Sequence, residues 1–288
     1  MRGFLPSMEC RRPTTLAEAL ALLASGAGRP FAGGTDLMVL YNAGKTQDTR
    51  FLDISRLPEL KGIRETPTHL DLGALCTFTE LLEHPAIHRH MPNLVKSARA
   101  TGALAIQNRG TLGGNIANAS PAGDTPPCLL AYEAELELVS ARGTRVVPYE
   151  AFHRGYKLMD LAPDELVARI RLPKPVGTHV HYFRKVGTRQ AQAIAKVSLA
   201  CVAQITDGRI AKVRIGLGAV APAPVRAPHA EAALCGQPLD ALPVDAVLQA
   251  LNSDMSPIDD IRSTAHYRRI VMRNILGQAL RILSETRS

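Results

Sequence analysis

The sequence contains no tryptophan, and aromatic residues make up only 4% of it. Nucleic-acid platforms stack bases on rings set into basic stripes. With so few rings, and with 34 dispersed lysines and arginines, the formal charge of +8 does not point to DNA or RNA. A solvated basic surface, or one turned toward an acidic partner or an anionic ligand, is the expectation instead. Cysteine is scarce as well. The five (Cys10, Cys76, Cys128, Cys201, Cys235) form no C-x-x-C and have no histidine at metal-ligand spacing. That argues against a disulfide framework, a zinc site or an iron–sulfur cluster built from this chain alone. No apolar run is long enough to cross a bilayer. The N-terminal Met1-Arg2-Gly3-Phe4-Leu5-Pro6 lacks the apolar core of a signal peptide, so a cytoplasmic location is expected. Repeats and low-complexity tracts are also missing.

What is present reads as an ordinary globular chain of about two domains, with 288 residues, 46% of them apolar. Thr15 followed by Glu18 has the spacing of a capping box ahead of an amphipathic helix carrying Leu16, Ala19, Leu20 and Leu23 on one face, stopped by Gly26. A short strand at 29–32, a helix from Leu37 and a strand at 50–54 predict a small parallel βαβ unit. Beyond it come a hairpin (62–65 with 69–73), helices from Thr77 or Thr79 and over 92–99, a short helix at 129–132, and strands at 134–140 and 166–173. The Pro173-Lys174-Pro175-Val176-Gly177 run marks a domain boundary. After it, strands at 181–186, 198–205 and 210–217, the last two joined by an Asp207-Gly208 turn, precede helices at 227–234, 245–251 and 266–284.

Two glycine stretches stand apart from this frame. The first is Phe31-Ala32-Gly33-Gly34-Thr35-Asp36-Leu37; the second is Gly110-Thr111-Leu112-Gly113-Gly114-Asn115-Ile116-Ala117-Asn118-Ala119, followed by Asp124. A diphosphate needs several converging N–H donors, and consecutive glycines let the backbone present them without Cβ clashes. Thr35 and Thr111 can add hydroxyl donors, Asn115 a donor and an acceptor, and Asp124 an acceptor for a sugar or ribityl hydroxyl. Neither stretch matches G-x-G-x-x-G or a phosphate loop ending in Gly-Lys-Ser/Thr, which rules out Rossmann and P-loop readings.

Those residues carry a resemblance. Ala32-Gly33-Gly34-Thr35-Asp36-Leu37, then Asn108-Arg109-Gly110-Thr111-Leu112-Gly113-Gly114-Asn115, then Asp124, resemble the FAD-binding (medium) subunit of the molybdenum hydroxylases, the xanthine dehydrogenase and carbon monoxide dehydrogenase group. Phe183-Arg184-Lys185-Val186-Gly187-Thr188-Arg189 resembles the opening of that family's C-terminal domain, and Tyr267-Arg268-Arg269 its final helix. The likeness spans nearly the whole chain.

The resemblance implies an α+β fold: a two-subdomain FAD-binding domain of the PCMH type over 1–174 (subdomains about 1–57 and 58–174), then a smaller C-terminal domain over 178–286 with an antiparallel sheet plus helices. It implies that Pro30, Phe31, Ala32, Gly33, Gly34, Thr35, Asp36 and Leu37 line the FAD diphosphate and adenosine side, and that Thr111, Gly113, Gly114 and Asn115 continue the cradle. Asp124 would hold sugar or ribityl hydroxyls, Leu166 would pack near the ring systems, and Lys185 would reach the cofactor from the C-terminal domain. For Leu166 and Lys185 the plainer alternatives, strand core and solvated lysine, stay open. Related flavin folds often attach the cofactor covalently through a histidine in the first loop; Thr35 stands there, so non-covalent FAD is implied. The missing cysteine cluster excludes the variant with an inserted four-iron site. Molybdopterin and [2Fe-2S] clusters would belong to partners, a large molybdopterin subunit and a small iron–sulfur subunit, in a complex that dimerises. The implied role is electron transfer from partner clusters to an external acceptor, with no catalytic side chain in this chain. A self-contained FAD oxidase or dehydrogenase, and a flavin-free nucleotide-binding assembly module, are the alternative readings.

Overall fold

The computed structural model of the chain describes residues 7–286, so the reading of Met1–Pro6 as no signal peptide lies outside the described residues. Three sheets follow one another along the chain. Strands β1 (Glu9–Arg11), β2 (Arg29–Phe31) and β3 (Arg50–Asp53) form the first, in the order β1-β3-β2 with both pairings parallel. Helices α1 (Leu16–Ala24) and α2 (Leu37–Asn42) connect them. The expected βαβ unit is there, and β1 adds a strand on its far side. In α1, Ala19 and Leu23 are buried, with Leu16 and Leu20 packed against the same apolar cluster. Thr15 caps it by accepting from the Glu18 N–H. The return half of the expected capping box differs: the Glu18 carboxylate accepts from the N–H (2.7 Å) and hydroxyl (3.0 Å) of Thr14. Gly26, at φ +68°, takes the left-handed turn that ends the helix.

The second sheet is antiparallel, ordered β4-β5-β10-β6-β7: β4 (Ile63–Glu65), β5 (His69–Gly73), β6 (Glu135–Ser140), β7 (Gly143–Pro148) and β10 (Leu166–Pro173), with a small hairpin of β8 (His153–Gly155) and β9 (Leu158–Met159) on the way. Helices α3 (Phe78–Glu83), α4 (Pro85–His90), α5 (Pro92–Ala100), α6 (Leu104–Gln107), α7 (Leu112–Ala117) and α8 (Pro126–Ala131) cover it. Thr77, not Thr79, caps α3, in a full capping box with Glu80. The largest correction is α7. The second glycine stretch is not a loop throughout, because six of its residues are helical behind a Thr111 cap.

The third sheet, β11 (Thr178–Val186), β12 (Val197–Thr206), β13 (Arg209–Gly218) and β14 (Val225–Arg226), is antiparallel in that order. Asp207 (φ +48°) and Gly208 (φ +69°) form the two-residue turn whose twist matches the strands it joins. Helices α9 (Pro228–Leu234), α10 (Val244–Ala250) and α11 (Ala265–Ser284) pack on one face. The other face lies on α5 and α8. Strand β12 is therefore buried on both sides: Leu199, Cys201 and Ala203 face the helices, while Ala200 and Val202 join the core of the second sheet. Contact there is close enough that a Cβ on Gly216 would sit 2.1 Å from the Pro127 carbonyl oxygen. Buried Asn93 on α5 donates through Nδ2 to the Cys201 carbonyl at 2.9 Å, tying the layers by a polar bond as well. No helix among the described residues is long and apolar enough to cross a membrane.

Candidate cofactor-binding site

Strand β2 delivers the chain into Ala32-Gly33-Gly34-Thr35-Asp36, and α2 takes it away. Gly34 turns at φ +74°, and Asp36 precedes α2 without capping it. The backbone N–H groups of Gly33, Gly34, Thr35, Asp36 and Leu37 have no hydrogen-bond partner among the described residues. Five successive free donors around a left-handed glycine make an anion-binding nest. Pro30, Phe31 and Ala32 form the approach to it, Pro30 paired with Leu52 and Phe31 with Asp53.

The second stretch is built differently. Thr111 Oγ1 accepts from the Gly114 N–H at 3.1 Å, and the Thr111 carbonyl from the Asn115 N–H at 2.9 Å. The Gly113 N–H donates to the Ala74 carbonyl at 2.8 Å, and a Cβ on Gly113 would meet Ala74 Cβ at 2.6 Å. Gly113 is therefore a packing glycine that lets α7 lie on the end of β5. Gly114 is exposed, and a Cβ there would press only on the capping Thr111 Oγ1 at 2.8 Å. What this stretch offers a ligand is a bare glycine surface and the amide of Asn115, not a second run of free N–H groups.

The two stretches touch. Arg109 Nε donates to the Gly33 carbonyl at 3.3 Å, and a Cβ on Gly33 would fall 1.8 Å from the Arg109 carbonyl oxygen. From there a continuous line of contacts runs along α7. The Thr125 hydroxyl donates to Asn115 Oδ1 at 2.5 Å, and its neighbour Asp124 is buried beside Lys185. Lys185 Nζ, projecting from β11, donates to Asp124 Oδ2 at 2.8 Å and to the Ala100 carbonyl at 2.9 Å. Burial pushes the Asp124 carboxyl up to about 6, with the Lys185 charge and hydrogen bonding from Lys185 and the Thr101 hydroxyl pulling it back down. Asp124 Oδ1 is buried and receives no well-formed hydrogen bond among the described residues, because the nearby Thr101 hydroxyl donates to the Ser97 carbonyl at 2.8 Å instead. An orphaned buried acceptor costs on the order of 1–3 kcal/mol unless something donates to it.

Leu166 stands outside that line. At 5% exposure it sits in β10 opposite Val139, within the apolar cluster of Leu57, Leu60 and Leu75. Arg109, Thr125 and the Ala100 carbonyl were not singled out as site residues from the sequence. Arg109 stands inside the quoted Asn108-Arg109-Gly110 run and Thr125 directly after Asp124, so adjacency was the available signal; a backbone carbonyl such as that of Ala100 gives none. Among the described residues no cluster of His, Cys, Asp or Glu could hold a metal ion.

A nest of free amides, a bare glycine helix and a buried acceptor, set where a parallel βαβ unit meets an antiparallel sheet, define a protein that binds a phosphorylated organic cofactor. The comparisons with known proteins give its family. The chain belongs to the flavoproteins of the molybdopterin dehydrogenases: residues 6–175 match the FAD binding domain in molybdopterin dehydrogenase, and residues 181–283 the CO dehydrogenase flavoprotein C-terminal domain. It is 32% identical, over 89% of each chain, to the putative xanthine dehydrogenase FAD-binding subunit of Escherichia coli. It is 29% identical, over 96% of each, to the carbon monoxide dehydrogenase medium chain of Hydrogenophaga pseudoflava. A solved structure of carbon monoxide dehydrogenase from that organism superposes with a TM-score of 0.93 at 30% identity, covering 96% of this chain and 97% of its counterpart. The α+β fold and the place of this chain among oxidoreductase subunits follow.

FAD fits the residues present. Its diphosphate needs converging N–H donors, which Gly33 to Leu37 leave free. Its sugar or ribityl hydroxyls need an acceptor, which Asp124 Oδ1 leaves open.

Proposed function

We propose that this chain is the FAD-carrying electron-exit subunit of a heteromeric molybdenum hydroxylase. Substrate oxidation would occur at a molybdopterin centre on a large partner, with [2Fe-2S] clusters on a small partner between that centre and this chain. FAD supplies the ability to take electrons singly from clusters and release them singly or as a pair to an acceptor. The side chains here bind and orient. The N–H groups of Gly33, Gly34, Thr35, Asp36 and Leu37 hold the diphosphate. Gly114 and Asn115 let the cofactor approach α7, and Asp124 accepts from its hydroxyls. Lys185 keeps Asp124 ionised and in place. Thr35 offers no attachment point for a covalent flavin, so the cofactor is non-covalent. No residue serves as acid, base or nucleophile.

The observation that carries this reading is the pairing of five free amides with a buried, unpartnered carboxylate oxygen, joined by the contacts along α7. Purification from the native host tests it. Expected are about one FAD per chain and copurification with an iron–sulfur chain and a molybdenum chain in a complex that dimerises. A flavin-free chain, or one that oxidises substrate by itself, would overturn it. We also place the complex in the cytoplasm, on the sequence expectation alone.

A further inference from the structure

The C-terminal end of α5 is pinned by donors from outside the helix. Lys185 Nζ donates to the Ala100 carbonyl at 2.9 Å. Gln107 Nε2 donates to the carbonyls of Arg99 at 3.2 Å and Thr101 at 3.0 Å, and the Gln192 N–H to the Gly102 carbonyl at 3.2 Å. The carbonyls that a helix end leaves bare are thus each engaged, and the backbone there is held in place.

Thr101, 8% exposed, closes this helix in a way that leaves one further acceptor to satisfy. Its N–H turns to the Ala98 carbonyl at 3.1 Å. The Ser97 carbonyl, which the next helical turn would have engaged, takes the Thr101 hydroxyl instead at 2.8 Å. That proton can be redirected by rotation about a single bond, with the backbone undisturbed.

The other acceptor within reach is Asp124. Lys185 Nζ bridges Asp124 Oδ2 and the carbonyl of Ala100, the residue next to Thr101, and hydrogen bonding by the Thr101 hydroxyl draws the Asp124 carboxyl down against the effect of burial. Lys185 is committed to Oδ2, so Oδ1 is the oxygen left for the hydroxyl. Of the two acceptors, a buried carboxylate oxygen takes the stronger hydrogen bond and is the more costly to leave bare.

We propose that Thr101 is a further positioning residue of the cofactor site: its hydroxyl donates to Asp124 Oδ1 when the cradle is empty, and to the Ser97 carbonyl when FAD is bound. The proposal rests on the reading of Asp124 as acceptor for a FAD hydroxyl. FAD then competes with a group of the chain itself. The stand-in donor stabilises the empty fold and lowers its affinity for FAD. A threonine that only capped α5 would support both states alike.

The test is FAD binding to the full-length chain stripped of flavin, read by equilibrium dialysis, with a thermal melt of the same empty chain. Thr101→Val keeps the shape and removes the donor. It should bind FAD roughly threefold more tightly, while the empty chain melts at a lower temperature. Thr101→Ala should tighten binding likewise, so the outcome does not hinge on how valine packs. Thr101→Ser restores the hydroxyl and should return both readouts to wild type. In an Asp124→Asn background, Thr101→Val should lose its effect on affinity, because the charged acceptor is gone. Unchanged or weakened affinity in the valine and alanine variants overturns the proposal, even where the melt falls. Tightening that persists in the Asp124→Asn background does so too. Wild-type affinity in Asp124→Asn alone overturns the acceptor reading beneath the proposal, an outcome distinct from the other two.

Discussion

Lys185 and Asp124 meet across 61 residues of sequence in a buried ion pair of 2.8 Å, and the bond leaves one oxygen of Asp124 unsatisfied. One partner comes from the segment after α7 and the other from the C-terminal sheet. The cradle therefore has a wall from each part of the chain, and the open oxygen marks the side on which a hydroxyl-bearing cofactor would lie.

That pair predicts a pH dependence. Asp124 titrates near 6 in the folded chain, above its usual range. A raised carboxyl stabilises the fold below the unfolded value and loses that contribution as pH rises through about 6. Acidification from pH 7 to 5 should therefore leave the apo fold unharmed by this group while weakening its acceptor, so FAD affinity should fall before unfolding begins. Asp124→Asn should weaken FAD roughly tenfold or more, the worth of a hydrogen bond to a charged group, and flatten the pH profile between 5 and 7. Equilibrium dialysis and thermal melts across that window check both; a variant that keeps the wild-type profile would sink the assignment.

Gly33 is the second test. Any side chain there drives into the Arg109 backbone carbonyl, which no rotamer can relieve. Gly33→Ala should cost roughly 1–3 kcal/mol of stability, as overpacking does, and lower flavin content at least tenfold. Gly44→Ala is the control. Its left-handed φ of +64° adds backbone strain that Gly33 does not have, but nothing lies within 4 Å of the added carbon, so stability can fall while flavin content stays at wild type.

Thr111 is expected to act through its cap. Thr111→Val keeps the shape and removes the oxygen that accepts from Gly114, which should cost about 1 kcal/mol in urea unfolding. Thr111→Ser should restore it. Equal stability of all three would show that α7 is held by packing alone.

Gly216→Val probes the contact between layers. The added carbon meets the Pro127 carbonyl at 2.1 Å, so β13 and α8 must separate. The melting transition should fall by several degrees, and FAD should weaken with it as Lys185 is drawn from Asp124. A lowered melt with flavin affinity intact would show that the two layers act independently.

The parts of this fold that could be read from sequence are those fixed locally. Thr77 with Glu80, Asp207-Gly208, and the apolar face of α1 each draw their meaning from residues within a turn or two. Helix α7 could not be read that way. Two adjacent glycines cost about 1 kcal/mol each inside a helix, and the compensation, the seat of Gly113 on Ala74, comes from 39 positions away by sequence number. Strand β1 is three exposed residues without alternation, defined only by β3. In the site, the chemistry of Asp124 was legible and its partner was not, while Thr111, expected to donate to the ligand, instead accepts from the Gly114 N–H as a helix cap. Asp124 read as an acceptor, but neither the lysine beside it nor the free oxygen has a sequence signature. The division of labour between the two glycine stretches, one giving its amides to solvent and the other to itself, likewise needed the hydrogen bonds.

The position of Lys185 late in the chain has a consequence for how the protein is made. A ribosome has delivered both glycine stretches and Asp124 well before it reaches β11, so a released fragment ending between the second and third sheets would carry a buried carboxylate with no cation. With Asp124 as the proposed acceptor, tight flavin uptake would wait for the C-terminal sheet to arrive. Loading of the cofactor would then report on complete synthesis, and a chain truncated before β11 is expected to stay colourless.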